Sequence, residues 1–391
     1  MSNLIPYPKV EWKTSYKDPF RFDASSQFKE MMLETLAQDA SDVFVQPQKP
    51  VLLRVQGRMV SLTKRILDDF EIKNILRWST NRNTAETDVV SGNPVNARYE
   101  CSSIGERNER GELLRYAWRV NASPVQYRGS TSSQIVMRAI PDTPPLPEQL
   151  GLTPELVESM TPRDGIVYVA GATGSGKTTT FAAIIRHILE NDTPIKGNLI
   201  THEEPIEFSY HNVISKHSVI VQSQIPNHFK DFAAANREAM RRKPGLILVG
   251  EMRDEETIKA AVEAALTGHP VFGTVHAVNV ATVMRRLISR YPEQERSSAI
   301  FDMLETVRVI MAQRLVSGTD GKLLALREYL VFDKEVRDAL YDLDNMALVT
   351  RRINELVQEK GHSFSVDAHE KAQAGKVDET LARRILKEIG A

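Results

Sequence analysis

The chain has 391 residues, enough for two or three domains at about 150 residues each. Its composition, 41% hydrophobic and 26% charged, is that of a globular protein and excludes global disorder, collagen-like repeats and fibrous coiled coil. Lys+Arg at 50 and Asp+Glu at 51 leave a net charge of -1, so global charge gives no support for nucleic-acid binding. The single cysteine, Cys101, excludes a disulfide scaffold and a cysteine-rich zinc site.

Residues 1–25 hold Pro6, Pro8 and Pro19 among scattered charges and read as an N-terminal arm without a signal-peptide core. Apolar spacing predicts a helix over 28–37. Strands are expected over 43–45, 51–55 and 59–62, with Gly57 at a turn, then a helix over 69–79 and strands over 118–122 and 133–140. This mixture is an α+β domain over 26–140. Pro141, Pro144, Pro145 and Pro147 then make a stiff linker, 141–150.

After the linker, strands at 166–170, 199–201, 246–249 and 271–275 alternate with helices at 178–189 and 254–266. That alternation predicts a doubly wound parallel sheet over 151–330. Beyond residue 282 the pattern is mostly helical, with one strand over 325–332, and 331–391 is expected to be a helical C-terminal region. No apolar run approaches the roughly 18 residues of a membrane helix, so a cytoplasmic location is expected.

Gly171, Ala172, Thr173, Gly174, Ser175, Gly176, Lys177 and Thr178 fit G-x-x-x-x-G-K-[ST] completely. Such a loop curls so that successive N–H groups point at phosphate oxygens, and the following helix presents its positive end to them. Lys177 adds charge near the β and γ phosphates, and the Thr178 hydroxyl can ligate Mg2+. The expected cofactors are ATP and Mg2+.

Three further segments follow later strands. Glu203, Glu204 and Glu207 sit where a parallel sheet binds ligands, and read either as a solvated acidic turn or as groups that hold Mg2+ or orient water. Glu251 ends the strand 246–249, with Gly250 in place of the usual acid one residue earlier, and can polarise the attacking water. His269 and His276 bracket the strand 271–275; an imidazole there either senses the γ-phosphate or is structural.

Together, Gly-Ala-Thr-Gly-Ser-Gly-Lys-Thr-Thr (171–179), Glu-Glu-Pro-Ile-Glu-Phe (203–208), Leu-Val-Gly-Glu-Met-Arg-Asp (248–254) and Thr-Gly-His…Thr-Val-His (267–276) resemble the Walker A, aspartate, Walker B and histidine boxes of the secretion, or traffic, ATPases. That superfamily includes PilT-like retraction motors and the type II and type IV secretion ATPases. Ala40-Ser41-Asp42 and Arg54…Gly57 resemble its upstream motifs. The tail lacks the Ala-Ile-Arg-Asn-Leu-Ile-Arg-Glu of retraction motors and reads Leu326-Arg327-Glu328-Tyr329-Leu330-Val331-Phe332-Asp333 instead. With Arg241-Arg242-Lys243-Pro244-Gly245 before the Walker B strand, the chain is most similar to the DotB/TraJ branch of type IVB secretion and IncI-type conjugation ATPases.

The resemblance implies a RecA-like ATPase domain, a PAS-like N-terminal domain and a homo-hexameric ring. It implies that Thr179 belongs to the nucleotide loop and that Arg119, Arg128 and Arg138 reach nucleotide. Catalytic roles fall to Glu251, Glu204, His276 and His269, and Mg2+ contacts to Thr178 and Glu204. It also implies docking on the cytoplasmic face of a secretion or conjugation complex, peripheral to the inner membrane. A pilus retraction motor is the alternative in the same class. A RecA-like nucleic-acid motor is the alternative of another class, with Arg237, Arg241, Arg242 and Lys243 as its basic run; no sequence-specific nucleic-acid binding is expected.

Overall fold

A computed structural model describes residues 16–343 and 345–389; the first fifteen residues of the expected arm lie outside the described residues. The chain forms two compact units that divide between Thr143 and Pro144.

The first unit runs α1 (Ser25–Ala37), β1 (Asp42–Val45), β2 (Leu52–Val55), β3 (Arg58–Ser61), α2 (Asp69–Thr80), α3 (Ala85–Val90), β4 (Val95–Arg107), β5 (Leu113–Tyr127) and β6 (Ser130–Ile140). The strands make an antiparallel sheet in the order β3-β2-β1-β6-β5-β4. Alternate residues face the core, as the pleat requires. Trp118, Val120 and Ala122 of β5 and Ile135 and Met137 of β6 are buried with Phe28, Met31 and Met32 of α1 and Ile72, Ile75 and Leu76 of α2.

Helix α2 starts on a reciprocal cap: the Glu71 N–H donates to Asp68 at 2.8 Å and the Asp68 N–H to Glu71 at 2.9 Å. The same Glu71 carboxylate accepts the Phe22 N–H at 2.8 Å, and Phe22 is fully buried. The end of the expected arm is therefore anchored to the sheet domain at Phe22, which has an apolar site to fill, while Phe20, Arg21, Asp23 and Ala24 stay exposed. Strand β4 and the outer half of β5 were not expected. Their residues are mostly polar and face solvent, so the sequence carries little alternation there.

The second unit runs α4 (Pro154–Ser159), β7 (Gly165–Ala170), α5 (Lys177–Glu190), β8 (Gly197–Glu203), β9 (Ser218–Gln224), α6 (Phe232–Ala239), β10 (Pro244–Val249), α7 (Glu255–Leu266), β11 (Pro270–Val275), α8 (Val280–Ile288), α9 (Arg296–Thr306), β12 (Val307–Ser317), β13 (Leu323–Val331), α10 (Lys334–Tyr341), α11 (Met346–Glu359), α12 (Phe364–Gln373) and α13 (Glu379–Ile389). Its sheet order is β13-β12-β7-β11-β10-β8-β9. All neighbours are parallel except β12 and β13.

Helices cover both faces, so the central strands are apolar throughout. Val167 and Val169 of β7 pack with Phe181, Ile184 and Ile185 of α5, while Ile166, Tyr168 and Ala170 face Ile258 of α7 and Met303 of α9. The fold is the expected RecA-like α/β architecture with an α+β N-terminal domain and helical C-terminal region. Strand β12 falls in a stretch expected to be helical. A short apolar run such as Val307–Ser317 has no period that separates buried strand from buried helix. The C-terminal helices join the sheet's own core through Val336, Leu340, Val349, Ile353, Leu356 and Phe364. No helix among the described residues is long and apolar enough to cross a membrane.

Candidate active site

The loop between β7 and α5 forms at the carboxyl end of the sheet. Gly171 has φ 153°, and a Cβ there would meet the Ser175 Oγ at 2.3 Å and the Gln313 carbonyl at 2.5 Å. The curl is therefore open only to glycine. The Lys177 ammonium is folded back and donates to the carbonyls of Gly171 and Ala172, each at 3.0 Å. Burial lowers its pKa, while Glu251 and Glu207 hold it up. The Ser175 Oγ is buried and has no hydrogen-bond partner among the described residues. A cationic lysine held only by neutral carbonyls, an orphaned hydroxyl and a glycine curl at a helix start together fit a bound polyphosphate.

Gln313 of β12 holds this loop to its helix. It accepts from the Thr180 hydroxyl at 2.9 Å and donates to the Ser175 carbonyl at 2.7 Å. The sequence carried no signal for this residue, because its strand was read as helix.

Beside the loop, Thr178, Glu203, Glu204 and Glu207 line one small cleft. One hydroxyl and three carboxylates are hard oxygen donors that suit Mg2+. The carboxylates differ. Glu203, at the end of β8, is buried and accepts from Thr201 at 2.7 Å and Gln222 at 3.0 Å. Glu204 is exposed and pairs with Arg253 at 3.1 Å.

Glu251 follows β10 and lies 3.6 Å from the His276 Nε2 at the end of β11. Burial and the Lys177 charge lower the His276 pKa, and Glu251 opposes them, so the ring is neutral near pH 7. Gly250 stands where the backbone of β10 passes closest to β8: its N–H donates to the His202 carbonyl at 2.8 Å, and a Cβ would meet that oxygen at 2.8 Å. The missing acid at this position therefore has a steric cause.

His269 is not brought to the loop. It precedes β11 at the edge where Pro270 pairs with Gly165, and the loop follows the opposite edge, where Val275 pairs with Ala170. Its Nδ1 lies 3.2 Å from both the Thr267 hydroxyl and the Ala264 carbonyl, closing the end of α7.

The three arginines lie in the first unit. Arg119 and Arg138 are cross-strand partners on the sheet face opposite its core, in one register row with Arg98, Asp42 and Arg54. Asp42 is buried and accepts from the Arg138 Nε at 2.7 Å. Arg128 is elsewhere, at the β5–β6 hairpin tip with φ 45° and its guanidinium 5.4 Å from the Tyr127 ring. It stands roughly 30 Å of strand from Arg119. Arg237 and Arg241, from the basic run, pair with Glu256 and Glu238 at 4.0 and 2.6 Å.

Residues 24–323 match the type II/IV secretion system protein family. The X-ray structure of the ATPase DotB of Yersinia pseudotuberculosis is 47% identical, covers 98% of this chain and 99% of its own, and superimposes with a TM-score of 0.78. DotB of Legionella pneumophila is 38% identical, with 96% and 98% covered and a TM-score of 0.83. The type IV pilus retraction ATPase PilT of Pseudomonas aeruginosa is 30% identical over 311 residues, 80% of this chain and 84% of PilT. Two further curated relatives are spanned over only 62% and 57% of their own lengths.

Proposed function

The chain belongs to the type II/IV secretion system protein family, within the PilT-like secretion ATPases, and from that premise we propose that it hydrolyses ATP with Mg2+ as a ring-forming motor of a type IVB secretion or conjugative transfer apparatus. The observation that carries this reading is the juxtaposition of the glycine loop and Lys177 with the Glu251–His276 pair.

In this reading the loop N–H groups and Lys177 bind the phosphates. Bound Mg2+ would neutralise charge on the β and γ phosphates, with Thr178 and Glu204, or the better-buried Glu203, holding it. Glu251 positions the attacking water and accepts its proton. Neutral His276 has a single N–H; it faces the Glu251 carboxylate at 3.6 Å and orients that carboxylate for the attacking water. Arg119 and Arg138, side by side on one rigid sheet, close on nucleotide as the 26–140 domain swings about the 141–150 linker. Arg128 acts at a separate point, on a neighbouring subunit of a homo-hexamer. The ring docks from the cytoplasm on a membrane-embedded secretion complex.

The test is ATP turnover against protein concentration. Specific activity should rise as the ring assembles, and Arg138→Ala should lose most turnover while still binding ATP. Full turnover in a monomeric fraction overturns the ring-coupled motor. The likeness to PilT supports a pilus retraction motor as the second reading, which a twitching assay separates.

A further inference from the structure

Glu328 of β13 is only 7% exposed, and no step of the proposed hydrolysis uses it. Its Oε1 accepts the Val280 N–H at 2.8 Å, and the Phe364 N–H also donates to its carboxylate. Val280 opens α8 and Phe364 opens α12. Each helix has a polar cap of its own: Asn279 accepts the Thr282 N–H at 3.0 Å, and Ser363 accepts the Val366 N–H at 3.4 Å. The caps serve the third N–H of each helix and Glu328 serves the first, so one carboxylate joins the positive ends of two helices.

Burial raises the Glu328 pKa, and the two N–H groups oppose that shift. A carboxylate in such a place costs free energy unless its hydrogen bonds are kept. Moving either helix end away from Glu328 therefore leaves a buried acceptor unmet as well as a donor, and the start of α8 is pinned.

The sheet register connects this pin to the candidate active site. Glu328 pairs with Ala312 of β12, Ala312 with Ala170 of β7, and Ala170 with Val275 of β11, in one row across the carboxyl edge. The Val275 carbonyl also accepts the Gly171 N–H of the phosphate loop at 3.2 Å. The row ends on the residue before His276, and the chain comes back to Glu328 at Val280. Between Val275 and Val280, both buried, lie His276, Ala277, Val278 and Asn279, none of them buried, with Val278 70% exposed. Little packing fixes these four residues. Their path is set by the strand pairing at one end and by the Glu328–Val280 bond at the other.

Resting on the ATPase reading above, we propose that Glu328 is a positioning residue for hydrolysis: by holding Val280 it fixes residues 276–279 and keeps the His276 ring against the Glu251 carboxylate. Phe364 holds Glu328 from α12, so the C-terminal helical region is part of the support. The His276 Nε2 lies 3.6 Å from Glu251. A displacement of about 1 Å is enough to disorient a catalytic pair.

The test is a double-mutant cycle on the full chain, with kcat for ATP hydrolysis and ATP affinity by calorimetry measured for each member. Glu328→Met keeps the length and removes both acceptors. It should lower kcat about 5- to 10-fold, as loss of the His276 contact does, and leave ATP affinity unchanged. In a His276→Ala background it should cost nothing further, because the residue it positions is already gone. Glu328→Asp keeps the charge and withdraws it by one methylene. Carried through the same cycle, it should show a smaller loss that also vanishes in His276→Ala, and it serves where Glu328→Met folds poorly. Losses that multiply in the double mutant, a fall in ATP affinity equal to the fall in rate, or a wild-type kcat in both Glu328 variants overturns the positioning role and leaves the ATPase reading standing. Absence of ATP turnover in the wild-type chain, or a wild-type rate in His276→Ala, removes the reading of His276 and this inference with it.

Discussion

His269 and His276 stand at opposite ends of the same strand, and the sheet treats them differently. His276 follows the carboxyl end of β11, lies 3.6 Å from Glu251, and has its pKa lowered by burial and by Lys177. His269 precedes the amino end and closes the last turn of α7 through Thr267 and Ala264. The contrast extends along both edges. At the carboxyl edge the Lys177 ammonium donates to two neutral carbonyls, and the Ser175 hydroxyl has no partner among the described residues. At the amino edge Asp164 is paired with Arg308 at 2.6 Å and Arg241 with Glu238 at 2.6 Å. At the carboxyl edge Glu203 and Glu204 have partners, but among the described residues the Lys177 ammonium meets no carboxylate and the Ser175 hydroxyl meets no partner; at the amino edge the charged groups named pair with each other. In a parallel sheet, strand direction alone sorts residues between these two edges.

Substitutions at the carboxyl edge should change rate and those at the amino edge should not. Lys177→Ala should show the largest effect, a loss of roughly 10³-fold or more in ATP turnover, because one cation serves both binding and the transition state. Near wild-type hydrolysis by purified Lys177→Ala would place the chemistry elsewhere. Glu251→Gln keeps the side-chain shape and removes the charge, so turnover should fall about 10²-fold while nucleotide still binds. Weakened binding with normal turnover would contradict the assignment.

His276→Ala should slow hydrolysis about 5- to 10-fold, the scale of one lost hydrogen bond, with the melting temperature little changed. A large drop in melting temperature at normal specific rate would make His276 structural. His269→Ala is the smallest effect and the sharpest control: no change in rate and a stability loss of about 0.5–1 kcal/mol from a frayed helix end. A rate loss there equal to that of His276→Ala would erase the difference between the edges.

The glycine loop was legible because its chemistry is local. Residues 171–178 are contiguous, and the loop, its lysine and the helix that follows act as one piece of backbone. The carboxylates after β8 and β10 were also legible, since an apolar run followed by an acid marks a strand end. The placement of His269 was open to the same reasoning, because a residue that precedes a parallel strand lies at its amino edge. Gln313 was not legible. Its strand reads equally as buried helix, and its partners Ser175 and Thr180 are far away in sequence.

From the sequence alone follow the domain classes, the phosphate loop and the order of the boxes along the chain, all of which rest on short-range backbone propensity and periodic burial. Tertiary structure alone decided the rest. Packing set Glu203 inward and Glu204 outward, though they are neighbours in sequence. The close approach of β10 to β8 excluded a side chain at position 250. Strand pairing put Arg119 beside Arg138 and left Arg128 at a hairpin tip. The C-terminal helices showed their apolar spacing in the sequence, but only their burial in the sheet's own core brought Lys371 and Asp367 to Arg327 beside the loop. Contacts between residues distant in sequence depend on which faces are buried together, and periodicity says that a face is buried without saying against what.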